Sequence, residues 1–367
     1  LAIFFIMSMD QTINELRYGG PQVRIRAATN LAVANNPQVT PYLLEALHDE
    51  DAEVRIAVAH ALNTYRDPQA VPSLIELLKD KNFAVTASAA TTLGLIGDER
   101  AVKPLLQMVE RVLRFGPNIL VQHQAIVQGL VALGRIRDER AASLLIKMLK
   151  KGYKHSVSDW QLQVRQAAAL GLGLLDQPIS NEALIESVSD AESPDLLESI
   201  TTALGMLRSE TSFKQMVGYL KLAPFEDEAR FFRRQQILII ALGQRGDRAA
   251  VPYLLPLVSS TFSEVRIALS ETLVRLGETE QGDALIPLLR DRSSDVRHAA
   301  AQALGQLGIQ SAAGPLSAVA VDPDRRVAGA AQNALESIKA LPSAQANIYL
   351  PPAPPGPPES DSDEKNP

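Results

Sequence analysis

Five histidines, His48, His60, His123, His155 and His298, are the side chains best suited to proton transfer or metal ligation, and they are scattered along the chain. None is followed by Glu. The sequence has neither a G-x-x-x-x-G-K-[ST] phosphate loop nor a G-x-S-x-G nucleophile elbow. It has no cysteine, which excludes disulfides, thiolate metal sites and Cys nucleophiles. The carboxylates Asp49, Glu50, Asp51 and Glu53 crowd one turn and the helix start after it, where acidic residues are favoured by the helix dipole alone. No catalytic residue, metal ligand or required cofactor is therefore expected.

The chemistry that does gather is that of recognition. Residues 110–123 hold Arg111, Arg114 and Phe115; residues 150–163 hold Lys150, Lys151, Tyr153, Lys154, His155 and the single tryptophan, Trp160. Residues 221–233 hold Phe225, Arg230, Phe231, Phe232 and Arg233, with Arg234 next. The surrounding blocks differ in charge: residues 100–160 sum to +7 and 213–250 to +3, between blocks of −5 (1–99), −6 (161–212) and −2 (251–340). Clustered Lys and Arg concentrate anionic partners, and aromatic and Arg side chains dominate binding hot spots, so Trp160, Phe231 and Arg234 lead the expected contacts. A packing reading stands beside this one. On it, Phe231 and Phe232 pack under their own segment, Trp160 extends a helix, and Lys150, Lys151 and Lys154 form a solvated helix end.

These segments interrupt a repeat. In residues 291–308, DRSSDVRHAAAQALGQLG, the residues Val296, Ala299, Ala300, Ala303, Leu304 and Leu307 make one apolar stripe of a helix. The pattern occurs ten times, with the opening residue and the Leu eight later at Val23/Leu31, Val54/Leu62, Val85/Leu93, Ala125/Leu133, Val164/Leu172, Leu196/Leu204, Arg234/Leu242, Val265/Leu273, Val296/Leu304 and Val327/Leu335. Successive spacings are 31, 31, 40, 39, 32, 38, 31, 31 and 31 residues. A shorter helix precedes each stripe, as in residues 70–80, opened by proline at Pro41, Pro72, Pro104 and Pro252. Glycine closes the second helix at Gly97, Gly246 and Gly308. A fixed period with two helices per repeat predicts an all-α solenoid, a right-handed superhelix of about ten helical hairpins. The three long repeats place their extra residues between the two helices. Insertions at one point of a repeat project from one edge, where the three should lie near one another.

The pattern LL-x-D-x4-VR-x-AA-x-x-L resembles the HEAT repeat over about residues 10 to 340. Its 31-residue form is most similar to the bacterial repeats named after phycobilisome bilin lyases. The resemblance implies a ladder between neighbouring repeats, made by an Asp closing the first helix and an Arg opening the second. The matching residues are Asp49 with Arg55, Asp159 with Arg165, and Asp291 with Arg297; Thr86 after Asp80, and Ser260 before Arg266, interrupt it. HEAT-repeat di-iron hydroxylases acting on deoxyhypusine carry His-Glu pairs, which this chain lacks.

Residues 1–8 read as an early start, with Met7 and Met9 close behind, and residues 9–340 as the solenoid. Residues 341–367 are proline-rich and acidic, the composition of a disordered tail or spacer favouring polyproline II. No run approaches the roughly 18 apolar residues of a membrane span, and residues 1–7 lack the basic start of a signal peptide. With no cysteine to protect, a cytoplasmic setting is expected. The function expected is a non-catalytic adaptor that holds a protein partner with an acidic surface on its concave face and inserted edge. The resemblance also implies an alternative, a bilin lyase-like or bilin-chaperone protein acting on phycobiliproteins. Nucleic-acid binding along the basic middle is disfavoured by the acidic flanks and a pI near 5.5.

Overall fold

Ten helical hairpins follow one another in the computed structural model, which describes residues 2–34, 36–114, 120–150, 159–191, 193–221 and 228–340. The chain divides into two compact units, Leu1–Met216 and Val217–Pro367. The first holds α1 (Ala2–Tyr18) with α2 (Pro21–Ala34), α3 (Thr40–Ala46) with α4 (Ala52–Tyr65), and α5 (Val71–Leu77) with α6 (Phe83–Ile96). It continues through α7 (Val102–Arg114) with α8 (Leu120–Ile136), α9 (Ala142–Lys150) with α10 (Asp159–Leu175), and α11 (Pro178–Ser189) with α12 (Pro194–Met206). The division falls within α13 (Glu210–Lys221). The second unit then holds α14 (Glu228–Arg245), α15 (Val251–Leu254) with α16 (Ser263–Arg275), the 3-10 helix Gly282–Arg290 with α17 (Ser294–Gln306), and α18 (Ala313–Val319) with α19 (Arg325–Ala340). Helix α1 begins at Ala2, inside the segment set apart as an early start.

Local chemistry sets these boundaries. Asn36, Asp67, Asp98, Asp138 and Asp247 each accept a hydrogen bond from the amide two residues on, which opens the 3-10 turn linking one hairpin to the next. Second helices end on a left-handed residue at Gly97, Gly246, Gly277 and Gly308; Arg66, Arg137 and Asp176 adopt the same backbone at φ 46°, 60° and 49° without glycine's freedom. Pro256 and Pro287 lie within the first helices of the eighth and ninth hairpins, and both helices wind as 3-10 there. A proline inside a helix lacks the N–H and crowds the preceding turn.

Within the first unit, α2, α4, α6, α8, α10 and α12 pack in series; within the second, α14, α16, α17 and α19 do. Small residues permit the close approach. A Cβ on Gly134 would lie 2.4 Å from the carbonyl oxygen of Gly171, and one on Gly94 or Gly173 would strike Ala132 or Ala203. Gly305 meets Ala334 in the same way in the second unit. The stripe residues are buried, among them Val54, Leu62, Val85, Leu93, Leu130, Leu133, Val296 and Leu304.

The Arg–Asp ladder is present with a register of its own. Arg24 pairs with Asp49 at 2.8 Å and Arg55 with Asp80 at 2.9 Å, while in the second unit Arg266 pairs with Asp291 at 2.7 Å and Arg297 with Asp322 at 2.8 Å. Each Arg reaches the Asp of the next hairpin, so Asp80 is a ladder partner despite Thr86, and Arg266 is one despite Ser260. The same Arg also turns back: Arg55 donates to the Asp49 and Glu50 carbonyls, Arg266 to that of Ser260 and Arg297 to that of Asp291, all at the end of their own first helix. Asp159 and Arg165 are not a ladder pair. The insertion moves Asp159 to the exposed start of α10, and Arg165 donates to the Leu149 carbonyl at 3.0 Å.

Burial works to raise the Asp291 carboxyl, but hydrogen bonds from Arg266 and the Ser293 amide outweigh it and hold the group below its usual range. The Arg297 hydrogen bond lowers Asp322. Arg266→Ala should destabilise the protein by about 3 kcal/mol in urea unfolding because it leaves Asp291 largely buried without its guanidinium. Arg326→Ala, at a 60% exposed side chain, should leave the urea midpoint nearly unchanged. Two carboxylates with depressed pKa contribute stability that is complete above the ordinary Asp range and lost as pH falls through the depressed values. Melting temperatures should therefore hold from pH 7 to about 5 and decline below about pH 4, and a melting temperature unchanged at pH 3 would contradict this role.

Candidate functional site

The long hairpins spend their additional residues on helix as well as on the connecting segments. Helices α3 and α5 have 7 residues each, whereas α7 has 13 and α9 has 9. Helices α8 and α10 have 17 each, against 14 in α4 and α6. The extensions thus project beyond the ends of the neighbouring helices along one edge of the first unit.

At that edge His123 of α8 stacks on Trp160 of α10, ring centroids 5.0 Å apart and planes 12° from parallel. The stack joins the ends of the first two inserted hairpins. Three residues before His123, on the same helical face, Leu120 is 70% exposed, and Val121 beside it is 38% exposed. Arg111 ties the end of α7 to the previous hairpin, donating to the Leu78 carbonyl at 2.6 Å, and Arg114 is exposed one turn on. With Gln107 and Glu110 these two arginines line a cleft of about 400 Å³. Lys150 ends α9 in an ion pair with Glu186 at 2.7 Å, both side chains about half exposed. Phe115, Lys151, Tyr153, Lys154 and His155 lie outside the described residues.

The third inserted hairpin contributes to the second unit. There Phe231 is 7% exposed and meets Phe232 edge to face, and Phe232 stacks on Phe262. The Arg234 guanidinium lies over the rings of Tyr219 and Phe231, 5.5 and 5.9 Å from their centroids. Phe231 and Arg234 therefore sit within the packing, while Arg230 and Arg233 are exposed and Lys221 covers the Tyr253 ring at 4.4 Å. Phe225 falls outside the described residues.

A second surface follows from the register of the second helices. Two and six residues beyond the opening apolar residue, α2, α4, α6, α8 and α10 present Ile25, Thr29, Ile56, His60, Ala87, Thr91, Val127, Val131, Gln166 and Leu170. None is Asp, Glu, Lys or Arg, and most are partly or fully exposed. His60 is hydrogen-bonded to Ser88 at 3.0 Å, which accounts for it as a structural side chain. Among the described residues, no three His, Cys, Asp or Glu side chains converge as a metal set. The edge and this stripe have the make-up of binding surfaces.

Leu120 and Val121 escaped the sequence reading because they precede the apolar stripe and look like its continuation. The signal that could have found Leu120 is phase, since it lies five residues before Ala125; Val121, four before it, is on the buried spacing and is exposed because it lies beyond the neighbouring helices' ends.

The chain matches the family described as HEAT repeats over residues 9–90, 63–114, 227–291 and 282–347, more than half of its length. It belongs to the HEAT-repeat family. One curated relative is the phycocyanobilin lyase subunit alpha of Picosynechococcus sp., 30% identical over 149 residues, which cover 39% of this chain and 54% of that protein. The chain thus spans about half the length of this relative. Among solved structures, the karyopherin Kap121p bound to the SUMO protease Ulp1p is similar at TM-score 0.57 and 13% identity, over 91% of this chain and 41% of that one. Kap121p bound to the extreme C-terminus of the phosphatase Cdc14p gives 0.54 and 12%, over 91% and 42%. At these identities the likeness is one of fold. Among the described residues no helix is long and apolar enough to cross a membrane.

Because Trp160 is the only tryptophan, its emission reports this edge alone. His123→Ala should shift the emission maximum to the red as the indole face loses the stacked imidazole and meets water, with far-ultraviolet circular dichroism unchanged; an unshifted spectrum would show that the stack is not maintained in solution.

Proposed function

We propose that the protein is a non-catalytic scaffold that holds a protein partner on the inserted edge of its first unit and along the uncharged second-helix stripe beside it. The observation that carries this reading is the projecting end of α8, where Leu120 stands 70% exposed next to the His123–Trp160 stack. A large apolar side chain in water beside a held aromatic pair is the composition of an interface centre, and the cations around it suit a rim. Arg111, Arg114 and Lys150 give that rim its sign, so the partner presents an acidic surface, and Lys151, Tyr153, Lys154 and Phe115 extend the same segments in sequence. Arg230, Phe232 and Arg233 supply a separate basic and aromatic surface on the second unit. The fold-level likeness to karyopherins, solved with protein partners bound, supports a binding role.

A second reading is bilin handling, favoured by the 30% identity to the phycocyanobilin lyase subunit. An open-chain tetrapyrrole would be substrate or cargo here: its propionates suit Arg111, Arg114 and Lys150, and its conjugated system suits the face of Trp160.

The test compares partners retained from lysate by the wild-type chain and by a Leu120→Ser, Trp160→Ala, Arg114→Ala variant, with absorbance read from 500 to 700 nm. The variant should retain at least about tenfold less of a specific protein, corresponding to loss of interface hot spots. Visible absorbance released with that protein would move the assignment to bilin handling. Equal retention by both chains would remove the edge as the binding site.

A further inference from the structure

We propose that the second-helix stripe of the first unit docks an extended, uncharged segment of the partner, which lies across the helices with an apolar side chain at every third residue. The inference rests on the scaffold reading and names what that face takes.

Two rows of different chemistry cross the helices side by side. Two residues after the opening position stand Ile25, Ile56, Ala87 and Val127; Ile25, Ile56 and Val127 are partly exposed, and Ala87, the smallest, stands between Ile56 and Val127. Four residues further on, a rise of about 6 Å along each helix, stand Thr29, His60 and Thr91. This second row retains bonding capacity. Thr29 donates to the Ile25 carbonyl at 3.1 Å and Thr91 to the Ala87 carbonyl at 3.0 Å, so both hydroxyl oxygens keep lone pairs for an incoming N–H. His60 meets Ser88 through Nε2 and has no hydrogen bond through Nδ1 among the described residues.

The rows select the shape of the occupant. A partner helix lying along the second helices would cross both rows, and its own backbone groups are already paired. A β-strand turns alternate residues to opposite sides, so every third one points away. A polyproline II chain returns to the same side every three residues, a step of about 9.3 Å, and leaves its backbone groups unpaired. That step matches the roughly 8–10 Å between packed helices. Four apolar anchors on the first row occupy ten residues, and the backbone between them faces the hydroxyls and imidazole of the second.

Charge narrows the occupant further. None of these seven positions is Asp, Glu, Lys or Arg, so a charged side chain set on the rows would lose water and gain no counter-ion. In the next hairpins Gln166 and the exposed Glu198 take the place of the apolar anchor, which ends the first row after α8. His123 lies one turn before Val127 on the same face of α8, so the row adjoins the edge that carries the Trp160 stack.

Fluorescence anisotropy with two labelled ten-residue peptides tests the assignment: three Val-Pro-Ala units closed by Val, and the same residues rearranged with the four valines adjacent. The full-length chain should bind the periodic peptide at least about tenfold more tightly than the rearranged one, with little change between about 0.05 and 0.5 M salt. Ile56→Lys and Val127→Lys, each at a partly exposed position, should each weaken the periodic peptide about tenfold with circular dichroism unchanged. Equal affinity for the two peptides, no binding of either, steep salt dependence, or binding that survives both lysine variants would overturn the proposal. The Leu120→Ser, Trp160→Ala, Arg114→Ala variant leaves both rows intact and should bind the periodic peptide as the wild type does. Failure of the peptide therefore overturns this inference alone, and failure of the edge in the lysate comparison leaves it standing.

Discussion

Six of the ten hairpins are closed by one side chain, placed immediately after the residue that opens the second helix. Arg24, Arg55, Arg165, Gln235, Arg266 and Arg297 occupy that position, and each donates to a carbonyl at or just beyond the end of the preceding helix. Those of Leu149 and Leu220 lie in the last turn of their helices, where carbonyls have no partner within the helix and carry the negative end of its dipole; the others belong to the connection that follows. A donor from the following helix satisfies them and fixes the angle at which the hairpin closes. Where the residue is arginine in a short repeat, the rest of the guanidinium reaches the next Asp, so one planar group with several donors closes its own hairpin and joins it to the following one.

The period, the number of hairpins and their burial stripe were all legible in the sequence, since 31-residue spacing and the Val54/Leu62 type of pairing leave little freedom. Register across hairpins was not. Asp49 and Arg55 are neighbours in sequence, and only the stacking of hairpins reveals that Asp49 belongs to Arg24 and Arg55 to Asp80. The left-handed caps were half legible: Gly97 announces one, but nothing in Arg66 or Asp176 does. The 3-10 winding around Pro287 likewise follows from a proline that the apolar period passes over.

The inserted segments fall at the joints of their hairpins and lengthen the helices on either side, and their aromatic content divides in a way that composition does not reveal. Trp160 lies at a projecting edge with His123, whereas Phe231 turns inward against Phe232 and Arg234 lies on Tyr219. Burial of an aromatic depends on whether a partner ring stands opposite it, and Phe262, the partner that completes the stack in the second unit, belongs to the next repeat. Exposed Leu120 shows the reverse case, an apolar residue with helical neighbours that still has nothing over it.

The ladder is discontinuous along the first unit, and that has a mechanical meaning. From α2 to α6 the hairpins are joined by forked arginine–carboxylate bonds, which weaken when either partner rotates. Alongside the Thr91–Gln128 hydrogen bond and the His123–Trp160 stack, successive helices from α6 to α12 meet through contacts such as Gly134 on Gly171 and Gly173 on Ala203, backbone against backbone. Dispersion forces of this kind resist separation but offer little resistance to twist. Along the first unit the joints thus pass from arginine–carboxylate forks to close helix packing, and the edge bearing Trp160 belongs to the second stretch.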